Sequence, residues 1–338
     1  MKNILVTGGA GFIGANFVRM LLLERKNLKV VNFDALTYAG NLENLDGFME
    51  NKNHVFVHGD IRNRDIVEKT IREHGIDGIV NFAAESHVDR SISGPGVFIE
   101  TNVAGTLNLL LCAKDLGVKR FLQVSTDEVY GSLSPEEEAF TEETHIKPNS
   151  PYSASKAAAD HLVHSFHHTF GLDSVITRCS NNYGPYQFPE KMLPLCINNI
   201  RQGKQIPVYG DGMQIRDWLY VYDHCSAILQ VLENGESGEV YNIGGSNEKT
   251  NLELVKTLLK LLGKSESLIK FVKDRPGHDR RYAIDNSKIT NTLGWKPSVT
   301  FEQGIAKTVD WYLKNQSWLD HVTSGDYQKY YDKMYLGK

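Results

Sequence analysis

The feature that most constrains the fold of this chain is a glycine-rich loop near its amino terminus. Gly8, Gly11 and Gly14 follow an apolar run at residues 3–7 that predicts a buried strand, and an amphipathic helix pattern continues to about residue 25. Glycine permits a tight turn and lets backbone N–H groups approach a pyrophosphate at a helix start. Asp34 lies 20 residues beyond Gly14, at the end of a second predicted strand, where a carboxylate can bond ribose hydroxyls. This spacing predicts a dinucleotide-binding unit.

Strand and helix patterns alternate along the first half of the chain. Apolar runs predict further strands at 30–34, 55–58, 78–82, 121–124 and 174–178. Helical patterns separate these runs, the longest at about 97–116 and 152–170, so we expect an α/β fold with a Rossmann-like, doubly wound parallel sheet. After about residue 180 turn-forming residues become frequent and the elements shorter. Residues 1–180 are therefore predicted to form the cofactor-binding Rossmann domain, with a segment near 215–245 returning to it. Residues 181–338 are predicted to form mainly a smaller C-terminal substrate-binding lobe.

Composition and charge exclude several classes of function. The chain is 41% hydrophobic with a net charge of −4, so it lacks the basic footprint of a nucleic-acid-binding protein. Its 4 cysteines form no C-x-x-C pair, which favours buried thiols in a reducing compartment. The amino terminus enters a strand at once, and no apolar run approaches the roughly 18 residues of a membrane span. We therefore expect a cytoplasmic protein that binds neither nucleic acid nor a membrane.

The residues at the end of the second predicted strand favour NAD over NADP. The Asp34 carboxylate would repel a 2′-phosphate, and the neighbouring Ala35 and Leu36 offer no arginine to bind one. At the end of the third predicted strand, Asp60 and Ile61 are placed to border an adenine. For Asp60 alone, an ordinary role as a turn residue explains its position nearly as well.

A tyrosine and a lysine lie four residues apart at the start of a predicted helix. Tyr152 and Lys156 would share a helix face, and a nearby ammonium group favours the phenolate, lowering the tyrosine pKa from about 10. Tyr152 is thus a candidate base toward a substrate hydroxyl, with Lys156 holding the nicotinamide ribose. A surface tyrosine–lysine pair has the same spacing, but the glycine loop upstream favours the functional interpretation.

A hydroxyl and two acids follow the predicted strand at 121–124. Thr126, Asp127 and Glu128 therefore lie where ligands bind in open α/β sheets, outside the carboxyl ends of the strands. Successive side chains on a strand point to opposite faces, so both acids reach one ligand only if the backbone leaves strand geometry at Asp127. Gly131 comes too late to force that change. The sequence leaves this question open, and ordinary loop acidity is the alternative.

The glycine loop, Asp34, Thr126 and the Tyr152–Lys156 pair together resemble the extended short-chain dehydrogenase/reductase family. Longer runs within the chain resemble its nucleotide-sugar branch, the dTDP-glucose 4,6-dehydratases, at residues 83–91, 125–131, 179–186, 215–218 and 274–279. The resemblance extends from the first strand to about residue 316. The glycine loop and the Y-x-x-x-K spacing define only the superfamily, whereas the T-D-E triplet and the A-A-E-S-H-V-D run are more selective.

This resemblance implies a carbon–oxygen lyase that converts dTDP-glucose to dTDP-4-keto-6-deoxyglucose and water, for dTDP-deoxysugar synthesis such as that of rhamnose. Tyr152 then removes the proton of the C4 hydroxyl, with Lys156 beside it, while the hydride passes to NAD and returns to C6. Glu128 is the base for the C5 proton and Asp127 the acid for the C6 hydroxyl, which requires their pKa values to be pushed apart. Thr126 is expected to hydrogen-bond the C4 oxygen.

The resemblance also assigns binding residues. The expected NAD contacts are Gly8, Gly11, Phe12, Ile13, Gly14, Asp34, Ala35, Leu36, Thr37, Asp60, Ile61, Phe82, Ala83, Ala84, Glu85, Ser86, Thr101, Tyr152, Lys156 and Asn182. The expected sugar-nucleotide contacts are Ser86, Thr126, Asn181, Lys191, Met192, Pro207, Val208, Tyr209, Arg216, Asn251, Arg275 and His278. Arg216 and Arg275 suit a diphosphate, since arginine binds phosphate in a bidentate manner. Ser86 is favoured over His87 as a contact, because His87 could be a structural histidine.

Histidines and long helices raise two further questions. His161, His164 and His168 could share a helix face, but no nearby carboxylate or cysteine completes a ligand set, so we expect no metal site.

The family pairs two long helices, here those at about 97–116 and 152–170, in a four-helix bundle. The resemblance therefore implies a homodimer.

Four competing functions remain open from the sequence. A UDP-sugar 4-epimerase would share the glycine loop, Tyr152 and Lys156, but it has no use for paired acids at 127 and 128. A sugar-nucleotide decarboxylase could retain Glu128 but leaves Asp127 without a role. A 4,6-dehydratase acting on a UDP-sugar is poorly separated from one acting on dTDP-glucose. The alternative from another class is an NAD-sensing binding protein, which need not keep all of these residue types.

Overall fold

The computed structural model describes residues 1–274 and 277–325, and its first half follows the alternation of strands and helices that the sequence predicts. The strands are β1 (Asn3–Thr7), β2 (Lys29–Asp34), β3 (His54–His58), β4 (Gly78–Asn81), β5 (Arg120–Thr126), β6 (Ser174–Cys179), β7 (Asn181–Tyr183), β8 (Ile206–Tyr209), β9 (Ile215–Tyr220), β10 (Val240–Ile243), β11 (Glu248–Thr250) and β12 (Ile269–Val272). The helices are α1 (Phe12–Glu24), α2 (Arg64–His74), α3 (Val88–Ser93), α4 (Gly96–Phe98), α5 (Thr106–Asp115), α6 (Pro151–Phe170), α7 (Met192–Arg201), α8 (Val221–Asn234), α9 (Asn251–Leu261), α10 (Ser287–Leu293), α11 (Phe301–Lys314) and α12 (Gln316–Val322).

A seven-stranded parallel sheet forms the centre of the fold, with the strand order β10-β6-β5-β4-β1-β2-β3. The strand order reverses between β1 and β4, as in a doubly wound sheet, so the Rossmann-like fold class is confirmed. The central strands are mainly apolar because helices cover both faces of a parallel sheet, and the buried Asn81 and Gln123 on neighbouring strands hydrogen-bond each other. The carboxyl ends of all these strands meet at one edge, where a ligand site is expected.

Two apolar clusters lie on opposite faces of this sheet. One packs α1 and α8 against it and includes the fully buried Phe17 and Ile228. The other packs α2, α5 and α6 against it and includes the fully buried Phe121 and Leu109. Both faces are therefore covered, which fixes the strand ends as the place where polar side chains can gather.

The second half of the chain builds two smaller sheets with a core of their own. The strand orders are β11-β9-β7 and β12-β8. Helices α7, α9, α11 and α12 pack on these strands around buried side chains that include Tyr312 and Leu258. Within the segment near 215–245, β9 belongs to the three-stranded sheet, whereas α8 and β10 pack with the main sheet. The boundaries of the two domains stay a prediction.

The helical stretch Gly96–Asp115 contains a π-helical part, Ile99–Gly105, between α4 and α5. Within the described residues it is the one helix long and apolar enough to cross a membrane, by length and composition alone. The sequence analysis did not recognise such a run, because Glu100, Thr101 and Asn102 interrupt the apolar residues. A core helix satisfies the same criterion, so the criterion is weak support for a membrane span.

Candidate active site

A cavity of about 390 Å³ opens at the carboxyl edge of the main sheet. Its lining comes from the loops that follow β1, β2, β3, β4, β5 and β6, and from the segment 179–191. All the residues predicted to contact NAD line it except Leu36. Ser86, Thr126, Asn181 and Lys191 of the predicted sugar-nucleotide contacts also line it. The fold therefore gathers nearly all of the predicted NAD contacts, but only these four of the predicted sugar-nucleotide contacts, into one cavity.

The glycine loop leaves no space for side chains. Gly8 has a φ of +68°, and a Cβ there would lie 2.7 Å from the Ala83 backbone nitrogen. A Cβ on Gly14 would lie 2.2 Å from the carbonyl oxygen of Gly8. Helix α1 begins directly after Gly11, so its first N–H groups face the cavity where a pyrophosphate would bind. This loop fits the dinucleotide that the sequence predicts.

Asp34 closes the far side of the loop from the end of β2. Its Oδ2 accepts a hydrogen bond from the Ala10 N–H at 2.9 Å, and its Oδ1 accepts one from the Leu36 N–H at 2.8 Å. Burial nevertheless raises the pKa of the carboxyl above its usual value. Each carboxylate oxygen keeps a second lone pair, so ribose hydroxyls can still be bound. Leu36 interacts with Asp34 through its backbone N–H, at a φ of 49°, and does not line the cavity.

The turn after β5 answers the question that the sequence leaves open. Strand β5 ends at Thr126, and a 3₁₀ turn follows at Asp127–Tyr130. The Thr126 hydroxyl oxygen caps this turn by accepting a hydrogen bond from the Glu128 N–H at 3.3 Å. Because the backbone leaves strand geometry at Asp127, both acids line the same cavity. The Tyr130 hydroxyl anchors the end of the turn by donating to Asn242 Oδ1 at 2.8 Å.

Asp127 occupies an environment that favours its neutral form. Its side chain is 2% exposed, and burial, followed by the nearby carboxylates of Glu128 and Asp217, raises its pKa well above the usual value. Oδ1 receives a hydrogen bond from the Thr126 hydroxyl at 3.3 Å. Oδ2 has no partner among the described residues. A protonated Asp127 can therefore donate its proton to a group in the cavity.

Tyr152 and Lys156 enter the cavity from the first turns of α6. This helix starts at a capping box formed by Ser150 and Ser153, with Pro151 at its first position. The Tyr152 hydroxyl is hydrogen-bonded to Thr126, and Lys156 Nζ donates to the Val124 carbonyl oxygen at 2.7 Å.

The predicted lowering of the Tyr152 pKa is wrong for the protein alone. Burial first, and then the negative charge of Glu128, raise that pKa well above its usual value. The Lys156 ammonium is directed at a strand carbonyl, and its own pKa is lowered by burial. A buried phenol loses its proton less readily, so the neutral phenol is the favoured form of Tyr152.

A buried asparagine that the sequence did not single out joins two sides of the site. Asn102, in the π-helical part of the long helix, is 1% exposed. Its amide nitrogen donates to the Glu85 carbonyl oxygen at 2.9 Å and to the Ser155 hydroxyl at 2.8 Å, and its oxygen accepts from the Glu85 N–H at 2.8 Å. It thereby ties the loop after β4 to α6. A polar residue inside an apolar helix pattern was the signal available.

Glu190 also lines the cavity, and the sequence did not single it out. The Glu190 carboxylate accepts from the Tyr38 hydroxyl at 2.9 Å and forms an ion pair with Arg90 at 3.2 Å. The Arg90 guanidinium lies 3.8 Å from the centre of the Tyr38 ring. Lys191, the next residue along the chain, donates to the Ser86 carbonyl oxygen at 2.6 Å. The segment at 188–191 is therefore fastened to the cofactor side of the cavity.

The remaining predicted sugar-nucleotide contacts lie outside the cavity lining. These are Met192, Pro207, Val208, Tyr209, Arg216, Asn251 and His278, whereas Arg275 lies outside the described residues. The Arg216 guanidinium lies 4.3 Å from the Tyr282 ring centre, and its positive charge lowers the pKa of Asp127, which places it near the acid pair. Tyr209 and His278 meet edge to face, with ring centres 6.1 Å apart. Arg216 therefore lies close to the acid pair although it does not line the cavity.

His87 and the histidines of α6 differ in their surroundings. His87 is buried and caps α3, its Nδ1 accepting from the Arg90 N–H at 3.4 Å, and burial lowers its pKa to about 4. His164 and His168 stack on the exposed face of α6 with ring centres 6.5 Å apart. No group of three or more metal-ligating side chains is arranged to hold an ion within residues 1–274 and 277–325.

Comparison with known proteins places this site in a family. Residues 5–308 match the family model described as GDP-mannose 4,6 dehydratase. The dTDP-glucose 4,6-dehydratase of Xanthomonas campestris pv. campestris (strain B100) is 56% identical over 346 aligned positions, covering 97% of this chain and 98% of that protein.

Two crystal structures agree with this assignment. The dTDP-glucose 4,6-dehydratase of Bacillus anthracis str. Ames in complex with NAD is 52% identical, with a TM-score of 0.89, and covers 95% of this chain and 100% of that one. The Streptomyces venezuelae enzyme of the same name, with NAD and a second ligand bound, is 50% identical, with a TM-score of 0.92, covering 95% and 99%. The chain therefore belongs to the family that the GDP-mannose 4,6 dehydratase model describes, in the group that contains the dTDP-glucose 4,6-dehydratases.

Proposed function

We propose that this protein is an NAD-dependent dTDP-glucose 4,6-dehydratase that forms dTDP-4-keto-6-deoxyglucose and water. The observation that carries the proposal is the turn after β5, which presents Asp127 and Glu128 to one cavity. Elimination of water needs a base and an acid in the same place, and the raised pKa of Asp127 supports the role of acid. The relatives that bear this name are about half identical to the chain over nearly their whole length.

The glycine loop and the strand-end carboxylate support NAD as the cofactor. Gly8, Gly11 and Gly14 would bind the pyrophosphate, and Asp34 the adenosine ribose. Lys156 and Asn182, deeper in the cavity, would hold the nicotinamide end. When bound, NAD accepts a hydride from the sugar and returns it within the same turnover.

Oxidation at C4 begins with loss of the hydroxyl proton. We assign its removal to Tyr152, whose hydroxyl is hydrogen-bonded to Thr126. Because burial and Glu128 raise the Tyr152 pKa, the phenol must first lose its own proton to solvent before the phenolate can accept that of the C4 hydroxyl, and the Lys156 ammonium on the same helix face is the cation that stabilises the phenolate. The Thr126 hydroxyl then hydrogen-bonds the C4 oxygen and positions it beside the Tyr152 hydroxyl.

Elimination follows at C5 and C6. The C4 ketone acidifies the C5 proton, which we assign to Glu128 as base. The C6 hydroxyl leaves as water after it accepts the proton of Asp127. Arg216, whose charge reaches the acid pair, is assigned to the diphosphate, together with Arg275 from the part of the chain that the structure leaves undescribed.

The proposal extends to assembly and location. We propose a homodimer in which the helical stretch Gly96–Asp115 and α6 of two chains form a four-helix bundle, because the two helices pack side by side and Ile99 and Phe170 on them are 52% and 53% exposed. Sedimentation of the purified protein at twice the monomer mass would support this. The 4 cysteines are free and buried, which fits the reducing cytoplasm, and a product used for dTDP-deoxysugars such as rhamnose fits the same location.

Mass spectrometry of the purified protein incubated with dTDP-glucose tests the proposal. A product lighter by one water, with no net accumulation of reduced cofactor, is expected. Repeating the incubation with UDP-glucose shows whether the enzyme prefers a thymine or a uracil nucleotide. An unchanged mass with formation of the galactose epimer would indicate a 4-epimerase instead, and no change with any sugar nucleotide would favour an NAD-sensing protein.

A further inference from the structure

A histidine outside the predicted site holds one of its cavity residues. Asn182 lines the cavity, and its side-chain amide has two protein partners: the Ser180 carbonyl oxygen at 3.0 Å and His224 Nδ1 at 2.9 Å. The backbone carbonyl oxygen of Asn182 accepts a hydrogen bond from the Gln187 side-chain amide at 2.9 Å. His224 lies near the start of α8 and has no exposed surface.

The chemistry of these partners fixes which way the Asn182 amide points. The Ser180 carbonyl oxygen can only accept, so the atom facing it is the amide nitrogen of Asn182. The amide oxygen consequently faces His224, whose Nδ1 must carry the proton and donate it. The second N–H of the Asn182 amide has no acceptor among the described residues and is left for a ligand.

The protonation state of His224 is fixed as well. Burial lowers the pKa of His224 to about 3, so the ring is neutral and carries one proton. That proton is on Nδ1, which leaves Nε2 as a bare acceptor, and Nε2 has no partner within the described part of the chain. A leucine would fill such a position without a buried, unpaired nitrogen. Packing alone therefore does not explain a histidine here.

We propose that His224 is a positioning residue for the cofactor, which fixes the Asn182 amide so that its free N–H is presented to the nicotinamide end of NAD. The inference rests on the proposed function in taking NAD as the ligand of this cavity. It requires no assumption about the sugar, because the contact is made on the cofactor side. Without the donor at Nδ1, the Asn182 oxygen loses its partner and the amide is held by the Ser180 carbonyl oxygen alone.

A matched pair of substitutions tests the role. His224→Asn retains a side-chain N–H donor near the Nδ1 position, and His224→Leu has nearly the same shape without it. The dissociation constant of NAD is measured by calorimetry on protein freed of cofactor, and the thermal midpoint is measured beside it. We expect His224→Leu to weaken NAD binding about tenfold and His224→Asn to stay within about twofold of the wild type.

A cycle with Asn182→Ala separates positioning from packing. If His224 acts through Asn182, adding His224→Leu to Asn182→Ala causes no further loss of NAD affinity. Equal NAD affinities for the Asn and Leu variants, with only the thermal midpoint lowered, would overturn the inference. A wild-type protein that binds NAD but leaves every sugar nucleotide unchanged would defeat the dehydratase proposal and leave this result standing.

Discussion

The Thr126 hydroxyl oxygen accepts a hydrogen bond from the Glu128 N–H at 3.3 Å, and this bond sets the geometry of the whole acid pair. It caps the 3₁₀ turn at the point where β5 ends, so two sequential acids that would diverge on a strand face one cavity. The same hydroxyl donates to Asp127 at 3.3 Å. Thr126 therefore organises both acids before any substrate arrives.

Replacing the proposed acid should separate the two chemical steps. Asp127→Asn keeps the size and the hydrogen bond with Thr126, but an amide cannot supply the proton for the departing C6 hydroxyl. We expect water loss to slow by about 100-fold or more, the usual scale for general acid catalysis, while C4 oxidation changes little. Rapid mixing that follows reduced cofactor, with quenched samples weighed by mass spectrometry, measures the two steps.

The companion substitution Glu128→Gln serves as the control for this assignment. It should also stop the reaction after oxidation, but it should additionally abolish exchange of the C5 proton with deuterated solvent. Equal slowing of oxidation and water loss in Asp127→Asn would contradict the role given to Asp127.

The raised pKa of Asp127 predicts how activity depends on pH. The acid form is present below that pKa and is lost as the pH rises through it, so kcat should fall on the alkaline side. The folding free energy follows the same sign: the folded protein binds this proton more tightly than the unfolded chain, whose carboxyl has a pKa of about 3.9. Stability from this group is therefore full below about pH 4 and lost as the pH rises through the raised value.

Two profiles across pH measure this prediction. The kcat profile of the wild type should show an alkaline limb that disappears from the residual activity of Asp127→Asn. Denaturant unfolding of the same two proteins should show a steeper loss of stability with rising pH in the wild type. If the alkaline fall of kcat survives in Asp127→Asn, a group other than Asp127 causes it.

The sheet and the cofactor loop were predictable because their signals are local. The runs that became β2 and β3 are mainly apolar, with Asn32 between the apolar residues of β2, and the spacing from Gly14 to Asp34 is typical of a dinucleotide unit. A buried parallel strand leaves few alternatives for an apolar run.

The parts of the site that the sequence did not predict depend on contacts between residues distant in sequence. Asn102 and Ser155 are 53 positions apart, and Asn182 and His224 are 42 apart, so no spacing rule pairs them. The Tyr152 pKa was predicted in the wrong direction because helical spacing shows Lys156 beside it but shows neither the burial nor Glu128. Burial is a property of the assembled fold, and its effect on the pKa outweighed that of the neighbour.

The tight packing of the glycine loop predicts a specific loss of cofactor binding. A Cβ on Gly14 would lie 2.2 Å from the Gly8 carbonyl oxygen, so Gly14→Ala must move backbone where a pyrophosphate would bind. We expect NAD to bind at least about tenfold more weakly, measured by calorimetry. Gly117→Ala is the control, since Gly117 has a φ of +67° and open space around it. It should cost about 1 kcal/mol of stability and leave NAD affinity unchanged.

A buried ion pair behind the acid turn offers a test of what holds the turn in place. Arg178 Nε lies 2.9 Å from Asp160 Oδ2, with the two side chains 5% and 1% exposed, and the guanidinium also donates to the Tyr130 hydroxyl at 3.0 Å. Arg178→Leu leaves the Asp160 carboxylate buried without its cation, which should lower the free energy of unfolding by about 3–5 kcal/mol. Arg25→Leu breaks a pair with Glu233 at the same 2.9 Å distance, but with side chains 39% and 37% exposed it should cost only about 0–1 kcal/mol. Urea denaturation of both variants measures the difference. Similar costs would mean that burial does not decide the strength of this pair, whereas recovery of stability in the double variant Asp160→Leu/Arg178→Leu would show that the unpaired charge causes the loss.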